Sequence, residues 1–155
     1  MTPRLCLSAL MRPIVLCLDV DVVIATLQPA APRHHGVRSW LESRIRDGER
    51  VVILPDVATS FVRIASDSRV WEQPPSTTAA ATAVHELCRS PRIAFAGATP
   101  RRLTIFFDLL RRYALTSRDV TDAYIVAGAA DLGATLVTSD MKMSRFVEVE
   151  VVRPE

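Results

Sequence analysis

Short apolar runs alternate with longer amphipathic stretches along the chain. Residues 14–18 are continuously apolar, too few for a helix, and end at Asp19-Val-Asp21, which predicts a buried strand closed by an acid. After a Pro-rich loop over 29–32, Val37, Trp40, Leu41 and Ile45 recur at helical spacing among Arg38, Glu42, Arg44 and Arg46, and Gly48 stops that helix. Residues 51–54 predict the next strand, and Pro55-Asp56 opens a helix with Val57, Phe61 and Ile64 inward and Ser60 and Arg63 on or near the other face. A loop over 67–76 carries Pro74-Pro75, and Ser76 or Thr77 then caps an alanine-rich helix. Residues 93–95 predict a further strand. Thr99-Pro100 starts a helix whose core face is Leu103, Phe106, Phe107 and Leu110, phenylalanines that read as core rather than as a base-stacking platform.

The segment 117–140 is the most informative. Ser117 or Asp119 caps a helix in which Ala123, Ala127, Gly128 and Ala130 form a small-residue stripe able to lie close on a sheet. Gly133 suits the left-handed end of that helix. Residues 134–138 predict a buried strand followed by Asp140, and 147–152 alternate like a half-exposed edge strand. Strands alternating with helices predict an α/β fold of three layers, a mainly parallel sheet with helices on both faces. Right-handed crossovers place the carboxyl ends of parallel strands on one rim, so Asp19 and Asp140 belong to one edge, where ligands bind in such sheets.

The length of 155 residues predicts one domain with a real core, and 49% hydrophobic with 23% charged residues is a globular composition. A net charge of +2 argues against a dedicated nucleic-acid scaffold while permitting an enzyme that acts on nucleic acid. Lys142 is the single lysine, and the arginine bias suits phosphate pairing, although genomic base composition produces the same bias. Cys6, Cys17 and Cys88 are odd in number and read as free thiols of a reducing cytoplasm. Neither the cysteines nor His34, His35 and His85 recur at metal-ligand spacing. Residues 1–13 read as an N-terminal extension, with Met11 as an alternative start, ahead of a domain over 14–154. No apolar run approaches the ~20 residues of a membrane span.

Asp119 and Asp122 lie three apart and project from one face of a helix start. Complementing the helix dipole accounts for one acid better than for two. If Asp19, Asp122 and Asp140 converge, each carboxylate pair at about 4 Å costs roughly 4 kcal/mol at an effective dielectric near 20. Cations relieve that repulsion, and all-carboxylate ligands suit Mg²⁺ or Mn²⁺ rather than zinc. An ion so held suits phosphodiester hydrolysis.

Three stretches carry a resemblance: Leu16-Cys-Leu-Asp-Val-Asp-Val-Val-Ile, Asp119-Val-Thr-Asp-Ala-Tyr-Ile-Val-Ala, and Leu136-Val-Thr-Ser-Asp with Phe146 following. In that order and spacing the chain resembles a PIN-domain ribonuclease, more narrowly the VapC toxins of toxin–antitoxin pairs. Phe61-Val-Arg63 and Ser68-Arg-Val-Trp71 are similar to one VapC subgroup. The resemblance implies RNA cleavage with Mg²⁺ or Mn²⁺, Asp19 and Asp122 as main metal ligands, Asp140 completing the cluster and Asp119 supporting it from outside. It also implies a homodimer silenced by a VapB antitoxin. The chain departs from the pattern where the family often has a glutamate and Ser60 stands nearby, and where Asp21 replaces the usual asparagine. Two other readings compete: a degenerate PIN domain kept for binding, and a haloacid-dehalogenase-like phosphatase with Asp19 as nucleophile and Asp21 as acid/base. The phosphatase reading is weakened by Lys142, which follows Asp140 in the wrong order.

Overall fold

The computed structural model describes residues 12–155. The proposed extension and alternative start at Met11 therefore fall almost wholly outside the described residues, as does Cys6. Five strands are present, β1 Val15–Leu18, β2 Arg50–Ile53, β3 Ile93–Phe95, β4 Thr135–Val137 and β5 Val151–Val152. They form one sheet in the order β3-β2-β1-β4-β5, and every pairing is parallel. Central strands of a parallel sheet are covered on both faces, and accordingly Leu16, Cys17, Leu18, Leu136 and Val137 are fully buried.

The helices are α1 Val20–Leu27, α2 His34–Arg46, α3 Pro55–Ala65, α4 Thr77–Leu87, α5 Pro100–Tyr113 and α6 Val120–Asp131. The paths β1 to β2 and β2 to β3 step in one direction across the sheet, whereas β3 to β4 steps back over both. With right-handed crossovers the first two connections put α1–α4 on one face and the third puts α5 and α6 on the other. The packing agrees, since α1 lies against α2 and α3, α3 against α4, and α5 against α6. This is the three-layer α/β fold that the sequence predicts. The order in which strands are added to the sheet reverses between β1 and β4, so the crevice at their carboxyl ends is the topological switch point.

Local details add one helix that the pattern left unassigned and correct three expectations. The β-branched run after Asp19 is a helix, α1, because the Asp19 side chain accepts a hydrogen bond from the Val20 N–H and caps it. Helix α5 is rotated from the predicted face: Arg102 is 2% exposed and Leu109 is buried, while Leu103 and Phe107 are 46% and 48% exposed. The edge strand shrinks to Val151–Val152. The segment Ser117–Asp119 is a single 3-10 turn capped by Thr116, whose backbone N–H and hydroxyl both donate to Asp119 Oδ2.

Gly133 adopts φ +60°, the left-handed position expected after α6. Gly128 has a different reason for lacking a side chain. A Cβ there would meet Leu54 Cδ1 at 2.6 Å and Arg102 Nε at 2.9 Å, so any larger residue forces these two buried side chains to shift.

Candidate active site

Asp19 ends β1 at the switch point and is 6% exposed. Its Oδ1 accepts from Val20 N at 2.6 Å and its Oδ2 from Thr138 Oγ1 at 2.8 Å, which fixes the carboxylate between two neighbouring strand ends. Burial, then the negative charge of Asp21, push its pKa up to about 6, and Asp122 adds to the rise. Asp21, in the first turn of α1, accepts from Ser139 N at 2.8 Å, while its Oδ1 is buried without a hydrogen-bond partner. Across the crevice, Thr138 Oγ1 also accepts from Asp140 N, and Asp140 Oδ1 accepts from Lys142 N at the head of a 3-10 turn.

Helix α6 brings its first turn to the same rim. Asp122 is half-buried, and burial followed by the charge of Asp140 raises its pKa. Asp119 is already engaged. Its Oδ1 takes Arg145 Nη2 at 2.7 Å and its Oδ2 the two Thr116 donors, and these hydrogen bonds hold it down at about 2. The four sequence-derived acids thus divide into Asp19 and Asp122, both raised by burial and then by neighbouring negative charge, Asp140, which caps a turn, and Asp119, which anchors Arg145.

A hard divalent cation fits this donor set in one respect and is constrained in another. The donors are carboxylates, they raise one another, and one Asp21 oxygen is buried without a partner. Yet among the described residues no three acidic, histidine or cysteine side chains converge into a ready-made cage. Magnesium suits such a site, because it keeps several waters and is held by one or two carboxylates together with substrate phosphate.

The raised Asp19 has a measurable consequence for stability. A carboxyl whose folded value exceeds its ordinary 3.8 binds its proton more tightly when folded. Its contribution is therefore present below about pH 4 and is lost as the pH rises to about 6. Two pKa units correspond to at most about 3 kcal/mol. Thermal unfolding in EDTA is expected to show a Tm that falls across this window, and a shallower fall in Asp19→Asn. Parallel profiles in the two proteins would contradict the burial of an ionisable Asp19.

Several contributors were not singled out from sequence. Thr138 binds both Asp19 and Asp140 and is fully buried; a hydroxyl ending an otherwise apolar strand is the one local signal for it. Arg102 reaches from α5 to the head of α3, where Nη1 and Nη2 donate to the two Asp56 oxygens at 2.9 and 3.0 Å. It also donates from Nε and Nη2 to Tyr124 O, two residues along α6 from Asp122, and stacks 3.7 Å from the Tyr124 ring. Beneath the rim, burial drives the Cys17 thiol up to about 12, so it is an inert core group. Cys88 is likewise free, and His34 is a buried residue whose Nδ1 lies 2.9 Å from Ala25 O.

A doubly wound parallel sheet with carboxylates gathered at its switch point defines a class of α/β domains with a polar site on the strand rim. The family model of the PIN domain matches residues 16–149, and the chain belongs to that family. Ribonuclease VapC33 of Mycobacterium tuberculosis is 25% identical over 136 residues, 88% of this chain and 95% of its own length. Ribonuclease VapC43 of the same organism is 27% identical over 132 residues, covering 85% of this chain and 90% of that protein. Among solved structures, VapBC2 from Rickettsia felis bound to a DNA fragment from their promoter aligns with a TM-score of 0.69 at 13% identity, over 92% of this chain and all of that one. Membership of the family removes the haloacid-dehalogenase-like reading of Asp19 and Asp21.

Proposed function

We propose that residues 14–154 form a metal-dependent endoribonuclease of the VapC toxin type, acting on RNA in the cytoplasm and neutralised by a VapB-type antitoxin. The observation that carries this reading is the set of carboxylates at the switch point of a PIN-domain sheet, where burial and the charges of Asp21 and Asp122 raise Asp19, and burial and the charge of Asp140 raise Asp122. The ribonuclease names of the relatives support the activity, and the VapBC assembly supports the partner. No helix among the described residues is long and apolar enough to cross a membrane.

Asp19 and Asp122 would hold the ion, Mg²⁺ or Mn²⁺, with Asp140 completing the acidic set once its turn yields. Such an ion supplies charge neutralisation at a scissile phosphate and activates a water. Thr138 orients Asp19 through its hydroxyl and keeps Asp140 adjacent through the backbone. Asp119 tethers Arg145 at the entrance, which positions a cation beside the acids without consuming Asp122. The exposed Leu103 and Phe107, four residues apart on one side of α5, offer an apolar face to a second copy and support a homodimer.

The test is cleavage of labelled structured RNA by the purified protein with Mn²⁺, beside an EDTA control. Cleavage that EDTA abolishes is expected. Absence of cleavage on several RNAs would favour a binding module built on the PIN fold, a reading consistent with Ser60 standing near the usual glutamate position.

A further inference from the structure

Beside the acids lies an open cavity of about 300 Å³ lined by Ile24, Ala25, Pro32, Arg33 and Trp71 together with Asp21 and Ser139. Asp21 and Ser139 belong to the acidic rim as well, so cavity and rim are continuous. We propose that this cavity is a nucleobase subsite, in which an unpaired base next to the cleaved phosphodiester stacks on Trp71. The inference rests on the ribonuclease reading and extends it to how substrate is held.

Three observations favour a base. Trp71 is fixed before any ligand arrives: its indole N–H donates to Ile64 O at 3.0 Å and its backbone N–H to Asp67 O. The preceding turn is tied by the Asp67 carboxylate, which accepts from both the Arg69 backbone and its guanidinium. An aromatic ring held in advance stacks with little entropic loss, and bases stack on such rings in single-stranded recognition. Arg33 is the second observation. Its guanidinium donates to Ser139 Oγ and Pro154 O, both neutral, and it forms no ion pair among the described residues, so its charge is available to a phosphate. The third is size, because the cavity stands at the lower limit for small-ligand pockets and takes one ring system rather than a helix or strand of a partner protein. A base inside a duplex cannot enter, so the RNA is expected to be single-stranded at that position.

The chain has two tryptophans, and Trp40→Phe leaves Trp71 as the sole tryptophan, which is excited selectively over the tyrosines at the red edge of the absorption band. In that background, short unstructured oligoribonucleotides are titrated while Trp71 fluorescence and binding of a labelled strand are followed. Quenching is expected on binding. Trp71→Ala should weaken RNA binding about tenfold and raise KM more than it lowers kcat. Ala25→Leu, which adds bulk at another lining residue of the cavity, should do the same, whereas Trp71→Phe should bind nearly as the parent does. Unchanged Mn²⁺ affinity and Tm report that the fold and acids are intact.

RNA affinity and cleavage that persist in both Trp71→Ala and Ala25→Leu would overturn the subsite while leaving the ribonuclease reading untouched. Loss of capture of a VapB-type antitoxin with RNA affinity retained would make the cavity a protein contact and overturn it too. A parent protein that neither binds nor cleaves any RNA would overturn the underlying reading along with it.

Discussion

Asp56→Ala is expected to lower the unfolding free energy by about 3–5 kcal/mol, because it leaves the buried Arg102 guanidinium without its carboxylate. Arg102 is 2% exposed and Asp56 is about a third exposed, so the penalty is unequal. Removing the acid strands a charge in the core, whereas removing the arginine leaves an acid that water reaches. Arg102→Met should therefore cost less than Asp56→Ala, and the double substitution should be more stable than Asp56→Ala alone. Urea unfolding of the three variants checks this ordering. Equal effects for the two single variants, adding simply in the double, would contradict a coupled buried pair. The packing around Gly128, whose missing Cβ makes room for Arg102 Nε, explains why the pair cannot easily be re-sited.

The second large effect concerns chemistry rather than folding. Asp122→Asn and Asp19→Asn are each expected to reduce Mn²⁺-dependent RNA cleavage at least about a hundredfold, since partners one step removed from a metal already cost 10–100-fold. Asp119→Asn should lie within about that lower range, because its carboxylate holds Arg145 and Thr116 instead of facing the ion. Asp19→Asn should at the same time raise the Tm in EDTA at neutral pH, by removing a buried carboxylate pushed up to about 6. Activity and stability moving in opposite directions at one residue is the signature of a site that is strained until a cation arrives. Equal activity in Asp19→Asn and the parent, measured on the same RNA, would remove Asp19 from the site.

How much of this was legible in the chain depends on whether the signal was local. Proline after Thr99, proline at the head of α3, Gly133 after α6 and the short apolar runs of β1, β2 and β4 act within a few residues, and all appear where the pattern puts them. Asp19 was legible as an acid closing a strand but not as a helix cap, because Val20, Val22, Val23 and Ile24 look like strand until the cap is known. The orientation of α5 was hidden for a sharper reason. An arginine on the inner face defeats hydrophobic periodicity, and only Asp56, far away in sequence, makes that burial tolerable. The same holds for Thr138, which meets Asp19 across more than a hundred residues, and for Arg33, which reaches Ser139. Helix caps and apolar runs are written locally, whereas polar contacts across the rim exist only after the sheet has formed.

A Mn²⁺ titration of the parent protein and Asp122→Asn, with RNA cleavage measured on the same samples, tests whether the acidic rim is a metal-dependent catalytic site. The parent is expected to bind Mn²⁺ and cleave in proportion to its occupancy, and Asp122→Asn to lose both while remaining folded. Binding and cleavage retained by Asp122→Asn would contradict the assignment of the acidic rim as the catalytic metal site.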